Sequence, residues 1–190
     1  MIEHHFKLKF KEYEEYFDPN EITFTCGLQV LDKESKLVHE IFKVPVAIEE
    51  LLAWLEENHE ALTSEDYLFT SQKENLCAAI RKFYDDIPDG DSELSESEDA
   101  ALDNLYNYRV RHCLYFGMRG MDIPDVYIGM YKGRSEVSFV LKNNDSVSFP
   151  AYDIDIGSFV NDTITLFKSL KAKSKFVRPN YSSISKNSVQ

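Results

Sequence analysis

The hydrophobic period of this chain changes twice along its length, and that alternation limits the fold more than any other feature. Phe6, Leu8 and Phe10 alternate with Lys7 and Lys9, and Ile22, Phe24, Cys26, Leu28 and Val30 alternate again. A period of two marks half-buried strands. Asp32-Lys33-Glu34-Ser35 reads as a turn and Leu37 to Val44 as the returning strand, which makes a hairpin. The period then lengthens: Ile48, Leu51, Leu52, Leu55 and Leu62 follow helical spacing, with Glu49 and Glu50 in the first turn, where the helix dipole favours acids. Ser71-x-x-Glu74 and Ser95-x-x-Glu98 read as capping boxes, the first before Leu76, Ala79, Ile80 and Phe83, the second before Ala101, Leu102, Leu105 and Tyr106. Ile87-Pro88-Asp89-Gly90-Asp91 separates these helices as a loop. From Arg109 the period returns to two. Val110, His112, Leu114 and Phe116 form one strand, and Val126 to Met130, Val137 to Leu141, and Val147 with Phe149 form three more. Ile156, Phe159, Val160, Ile164, Phe167 and Leu170 close the chain with a helix, with Asp153 or Asp155 near its start.

This order predicts an α+β fold. An antiparallel sheet of N-terminal strands plus a C-terminal four-strand meander carries helices on one face or end. The 190 residues fit one domain, expected over 1–175, and 176–190 read as a disordered basic and polar tail. No run approaches the ~18 apolar residues of a membrane span. The start, Met1-Ile2-Glu3-His4-His5, lacks an apolar signal core, so a cytoplasmic location is expected. Cys26, Cys77 and Cys113 are odd in number and form no C-x-x-C pair, which predicts buried reduced thiols.

Charge is unevenly distributed. The chain carries a net charge of −12, yet Lys171, Lys173, Lys175, Arg178 and Lys186 face no acid within the last 20 residues. Residues 1–170 therefore hold 16 bases and 33 acids, a net of −17. Nine acids fall between Asp85 and Asp103 without a lysine or arginine among them: Asp85, Asp86, Asp89, Asp91, Glu93, Glu96, Glu98, Asp99 and Asp103. Such a run needs solvent, a metal or a basic partner. A balance of this sign argues against nucleic-acid binding, which requires a basic face.

The motifs that carry chemistry are weak. Asp85, Asp89 and Glu96 fit three positions of a calcium loop around Gly90, but Ile87 stands where a ligand oxygen is needed. His4-His5, His39-Glu40 and His59-Glu60 lack zinc-ligand spacing. Asp153-x-Asp155 suits helix capping better than magnesium. Arg109 and Arg111 on one strand face, with Glu136 on another strand, suggest cross-strand pairing more than a nuclease-like site. No metal, no cofactor and no enzymatic turnover are therefore expected. A small metal-dependent hydrolase with its metal at Asp153 and Asp155 is one alternative. An acidic interaction protein unrelated to toxins is another. Among the tyrosines, Tyr106 and Tyr108 adjoin the acidic run, where they suit a protein interface. Asp122, Asp125, Asp153 and Asp155 are secondary candidates for such a surface.

The second half of the chain resembles the immunity proteins of bacterial contact-dependent growth inhibition and related polymorphic toxin systems. The residues concerned are Arg109-Val-Arg-His112, Val126-Tyr-Ile128, Val137-Ser-Phe139, the turn at Asn143-Asn144-Asp145 and the helix Phe159 to Leu170. The resemblance implies a cognate toxin domain, often a basic nuclease, neutralised by a bound inhibitor that covers its active site or a neighbouring surface. It assigns no individual binding residue.

Overall fold

A computed structural model describes residues 6–17, 22–87, 95–143 and 146–177. Strands β1 (Lys7–Phe17), β2 (Ile22–Leu31) and β3 (Leu37–Ala47) form an antiparallel sheet in the order β1-β2-β3. Alternation decides its faces. Leu8, Phe10, Phe24, Cys26, Leu28, Val30, Phe42 and Val46 are buried on one side, while Lys7, Lys9, Lys11 and Lys43 are exposed. The β2–β3 turn is closed by the Asp32 carboxylate, which accepts from the backbone N–H groups of Glu34 and Lys36 at 2.9 Å each.

Helix α1 (Ile48–Ser64) follows β3 directly and lays Ile48, Leu51, Leu52, Trp54, Leu55 and Leu62 into the same core. Trp54 donates its indole N–H to the Val110 carbonyl at 2.8 Å. The last helix, α4 (Ile156–Val177), buries Phe159, Val160, Phe167 and Leu170, and Phe10 packs between Phe159 and Phe167. Asp155 caps it, accepting from the Ser158 N–H at 2.9 Å and hydroxyl at 2.8 Å. Lys168 to Glu56 and Lys171 to Glu49, both 2.7 Å, tie α4 to α1.

A second core lies behind the ribbon of β4 (Val126–Tyr131) and β5 (Arg134–Phe139), which turns tightly at Lys132-Gly133 with both residues at positive φ. On one face of this ribbon Val126, Ile128, Val137 and Phe139 join the first core. On the other, Tyr127 and Tyr131 meet Leu76, Cys77, Ala79 and Ile80 of α2 (Leu76–Asp85) and Leu105 and Tyr108 of α3 (Glu96–His112). The first turn of α2 is capped by tertiary contacts. Asn75 accepts from the Ala78 N–H at 2.9 Å, Glu136 from Leu76 at 2.7 Å and Ser138 from Cys77 at 3.0 Å. All three cysteines are buried thiols, and burial pushes the pKa of Cys26 up to about 12 and that of Cys113 up to about 11.

The fold is α+β with antiparallel sheets, as the periodicity predicts. Three details differ. The expected strand over 109–116 is the last turn of α3 followed by a 3-10 turn, Leu114–Gly117, because Leu105, Tyr108 and His112 are buried at helical spacing. The four-strand meander is instead a sheet β4-β5-β8, with β8 at Ala151–Asp153, beside a short hairpin of β6 (Leu141–Asn143) and β7 (Ser146–Ser148). Ser71 does not start α2; its hydroxyl accepts from the Lys73 N–H in a local turn, and Asn75 is the cap. The tail expected from 176 onward lies outside the described residues beyond Val177.

The cap assignment can be checked. Asn75→Ala, which also removes the bond from its amide to the Phe149 carbonyl, is expected to cost about 1–2 kcal/mol. Ser71→Ala is expected to stay within about 0.5 kcal/mol of the parent. Urea unfolding midpoints of the two variants separate these outcomes.

Candidate functional site

The acidic run is split between two helices. Asp85 and Asp86 end α2, where each pairs four residues back, Asp85 with Arg81 at 3.0 Å and Asp86 with Lys82. Asp89, Asp91 and Glu93 lie outside the described residues. Helix α3 then opens on a complete capping box: the Ser95 hydroxyl accepts from the Glu98 N–H, and the Glu98 carboxylate accepts from the Ser95 N–H at 2.8 Å. The Ser95 hydroxyl and backbone N–H hold the Glu98 carboxyl below the usual glutamate range. Glu98 is therefore occupied in building the helix.

Glu96, Asp99, Asp103 and Tyr106 recur at intervals of three and four residues, so they line one face of α3. All four are exposed, and the three acids form no ion pair among the described residues. Tyr106 is 54% exposed and meets Phe116 edge to face at 5.9 Å. Tyr115, 42% exposed, also meets Phe116 edge to face at 5.9 Å. The stripe of acids thus ends in a small aromatic group on the surface. Tyr115 is carried on the 3-10 turn Leu114–Gly117, not on a strand, and is exposed there.

Tyr108 does not belong to this surface. It is fully buried and stacks on the His112 ring at 4.0 Å. Two residues along a helix rotate a side chain by more than half a turn, so Tyr106 and Tyr108 face opposite ways. Tyr127 and Tyr131 are buried as well.

Arg109, Arg111 and Glu136 do not assemble into one site. Arg111 makes a bidentate pair with Glu65, at 2.8 and 2.6 Å. Arg109 donates to the hydroxyls of Tyr84 and Tyr127, both at 3.0 Å. Glu136, 1% exposed, serves the N-terminus of α2; burial raises its pKa against the pull of the Leu76 N–H. His112, the last residue of α3, sits at the centre of a polar network. Its Nδ1 faces the Ile128 carbonyl at 2.9 Å and its Nε2 the Glu65 carboxylate at 3.2 Å. Burial lowers the pKa of the ring, outweighing these two acceptors, while Arg111 holds the Glu65 carboxyl below its usual range.

The secondary candidates are dispersed. Asp122 and Asp125 are exposed ahead of β4, Asp153 is half-buried in β8, and Asp155 is the α4 cap. Among the described residues no group of three or more His, Cys, Asp or Glu side chains is placed to hold a metal ion. No described helix is long and apolar enough to cross a membrane. No family model, curated protein or solved structure matches the chain.

Two outcomes check this network. A Cβ at Gly129 would lie 2.6 Å from His112 Nδ1, so Gly129→Ala is expected to destabilise by roughly 1–3 kcal/mol in urea, since the buried ring has nowhere to move. The lowered pKa of His112 means its neutral form is the one folding prefers. Its contribution is present above an unfolded histidine pKa of about 6.5 and is lost as pH falls below it. A proton NMR titration is expected to place the His112 midpoint below that value, with the urea midpoint falling over the same interval.

Proposed function

We propose that this protein is an immunity protein that binds and neutralises a basic toxin domain, a nuclease in the reading its sequence favours. The observation that carries the proposal is the α3 stripe, in which Glu96, Asp99 and Asp103 lead to an exposed aromatic group built on Tyr106 and Tyr115. Acids and aromatics do different work in a protein interface. Unpaired surface carboxylates attract a basic partner over distance and raise the association rate. A tyrosine supplies a large contact area with little rotamer entropy to lose, and so slows dissociation. Nuclease domains carry cationic surfaces for phosphates, which a body of net charge −17 over residues 1–170 complements.

Binding rather than turnover is supported by how the polar groups best suited to chemistry are engaged. Arg111 and His112 both bond to Glu65, and Glu136 holds the backbone of α2. Their chemistry is spent on the fold. Asp155, a candidate metal ligand, is likewise committed to capping α4.

The test is to look for a toxin domain encoded beside this gene, to co-express it with the chain, and to follow stopped-flow association of the purified pair. Growth arrest by the toxin is expected to be relieved by the intact chain. Combined Glu96→Gln, Asp99→Asn and Asp103→Asn should slow association about threefold or more at low salt and flatten its salt dependence. Tyr106→Ala should raise the dissociation rate by about tenfold or more with little effect on association. Failure of the intact chain to bind the toxin or to relieve arrest overturns the immunity reading. Unchanged kinetics in both variants moves the interface away from α3.

A further inference from the structure

A cleft of about 750 Å³ opens between α2 and the β6–β7 hairpin, and its charge runs against that of the chain. Among the described residues, Lys73, Arg81, Lys82, Arg109 and Lys142 line it against Asp85 and Asp125, in a protein of net charge −12. Arg81 is neutralised by Asp85, and Lys82 by Asp86. Lys73, Arg109 and Lys142 form no ion pair among the described residues.

Arg109 is the informative member. It is half-buried, and the only hydrogen-bond partners of its guanidinium among the described residues are the phenol oxygens of Tyr84 and Tyr127. Both phenols accept from the guanidinium, Tyr127 at Nε and Tyr84 at Nη1, which leaves Nη2 without a partner there. The Arg109 guanidinium also packs on the Tyr84 ring, 5.3 Å from its centroid. Neutral phenols orient a guanidinium without cancelling its charge. The fork is thus fixed in place, partly out of water, with donors to spare. Desolvating a cation without a counter-ion is costly, and an anion in the cleft offsets that cost.

We propose that this cleft binds a phosphate monoester carried on a flat or apolar body, with Arg109 as the anchor of the phosphate and Lys73 and Lys142 at its rim. Three unpaired cations suit a dianion better than a single carboxylate, and a guanidinium matches phosphate oxygens two at a time. Ile80, Val140, Val147 and Phe149 line the same cleft and offer the apolar contact that a bare ion would not use. The volume is that of an ordinary small-molecule site, large enough for a mononucleotide. None of Glu96, Asp99, Asp103 and Tyr106 lines this cleft, and the proposal stands or falls independently of the toxin reading.

The probes are adenosine monophosphate, inorganic phosphate and adenosine, titrated calorimetrically into the full chain at low salt. Adenosine monophosphate is expected to bind saturably, inorganic phosphate more weakly, and adenosine most weakly of the three. Lys73→Gln combined with Lys142→Gln alters two exposed side chains and should lower the affinity for adenosine monophosphate about tenfold or more while leaving the unfolding midpoint in place. Arg109→Lys keeps the charge but loses the fork, and should weaken binding at least as much. No saturable binding of adenosine monophosphate at millimolar concentration overturns the proposal. So does adenosine binding as tightly as its monophosphate, or unchanged affinity in the double-lysine variant.

Discussion

The β4–β5 ribbon is buried on both faces, and most of the structure follows from that condition. A two-sided strand cannot send its polar residues to water, so each must find a partner inside. Glu136 and Ser138 find theirs in the first N–H groups of α2, which would otherwise be orphaned at a buried helix end. Two unsatisfied sets of groups thereby satisfy each other, and α2 is fixed against the ribbon at a defined height. On the neighbouring strand Gly129 gives up its side chain so that His112 can approach, and the Ile128 carbonyl receives the ring. The helices behind the ribbon are therefore positioned by hydrogen bonds as well as by apolar packing.

This arrangement divides the charged residues into two populations. Those near the ribbon are consumed by internal bonds: Glu65, Arg111, His112 and Glu136. Those on the far side of α3 and at the rim of the α2 cleft are not. Net charge describes neither group well. The acidic stripe and the cationic cleft lie on one protein with opposite local signs, and a chain-wide value of −12 conceals the second.

Much of the architecture is legible in the sequence where one period persists. Leu8 with Phe10, and Phe24 to Val30, alternate cleanly and become the inner face of the first sheet; Phe159 to Leu170 hold helical spacing and become α4. Legibility fails near Arg109, where the end of α3 meets a 3-10 turn. His112 and Leu114 are both buried, one on a helix and one on the turn, and two different geometries imitate a single alternation. The spacing of Leu105, Tyr108 and His112 was the available sign of a continuing helix, and it also removes Tyr108 from the surface. The pairing of Glu65 with Arg111 and the seating of Arg109 between Tyr84 and Tyr127 join distant segments, and no local pattern announces them. The stripe at Glu96, Asp99, Asp103 and Tyr106 was half visible: the acids were evident, but their common face required the helix.

The capping box at Ser95 has a geometric consequence. By locking the first turn of α3 it turns a string of charges into a rigid ruler, with Glu96 and Tyr106 about 15 Å apart along the axis at the rise of an α-helix. A flexible acidic segment adapts to many basic surfaces and loses entropy on each. A ruler loses little, but it fits only a surface whose cations and aromatic pocket are laid out at its own spacing. The selectivity of such a face resides in distances, not in the number of its charges.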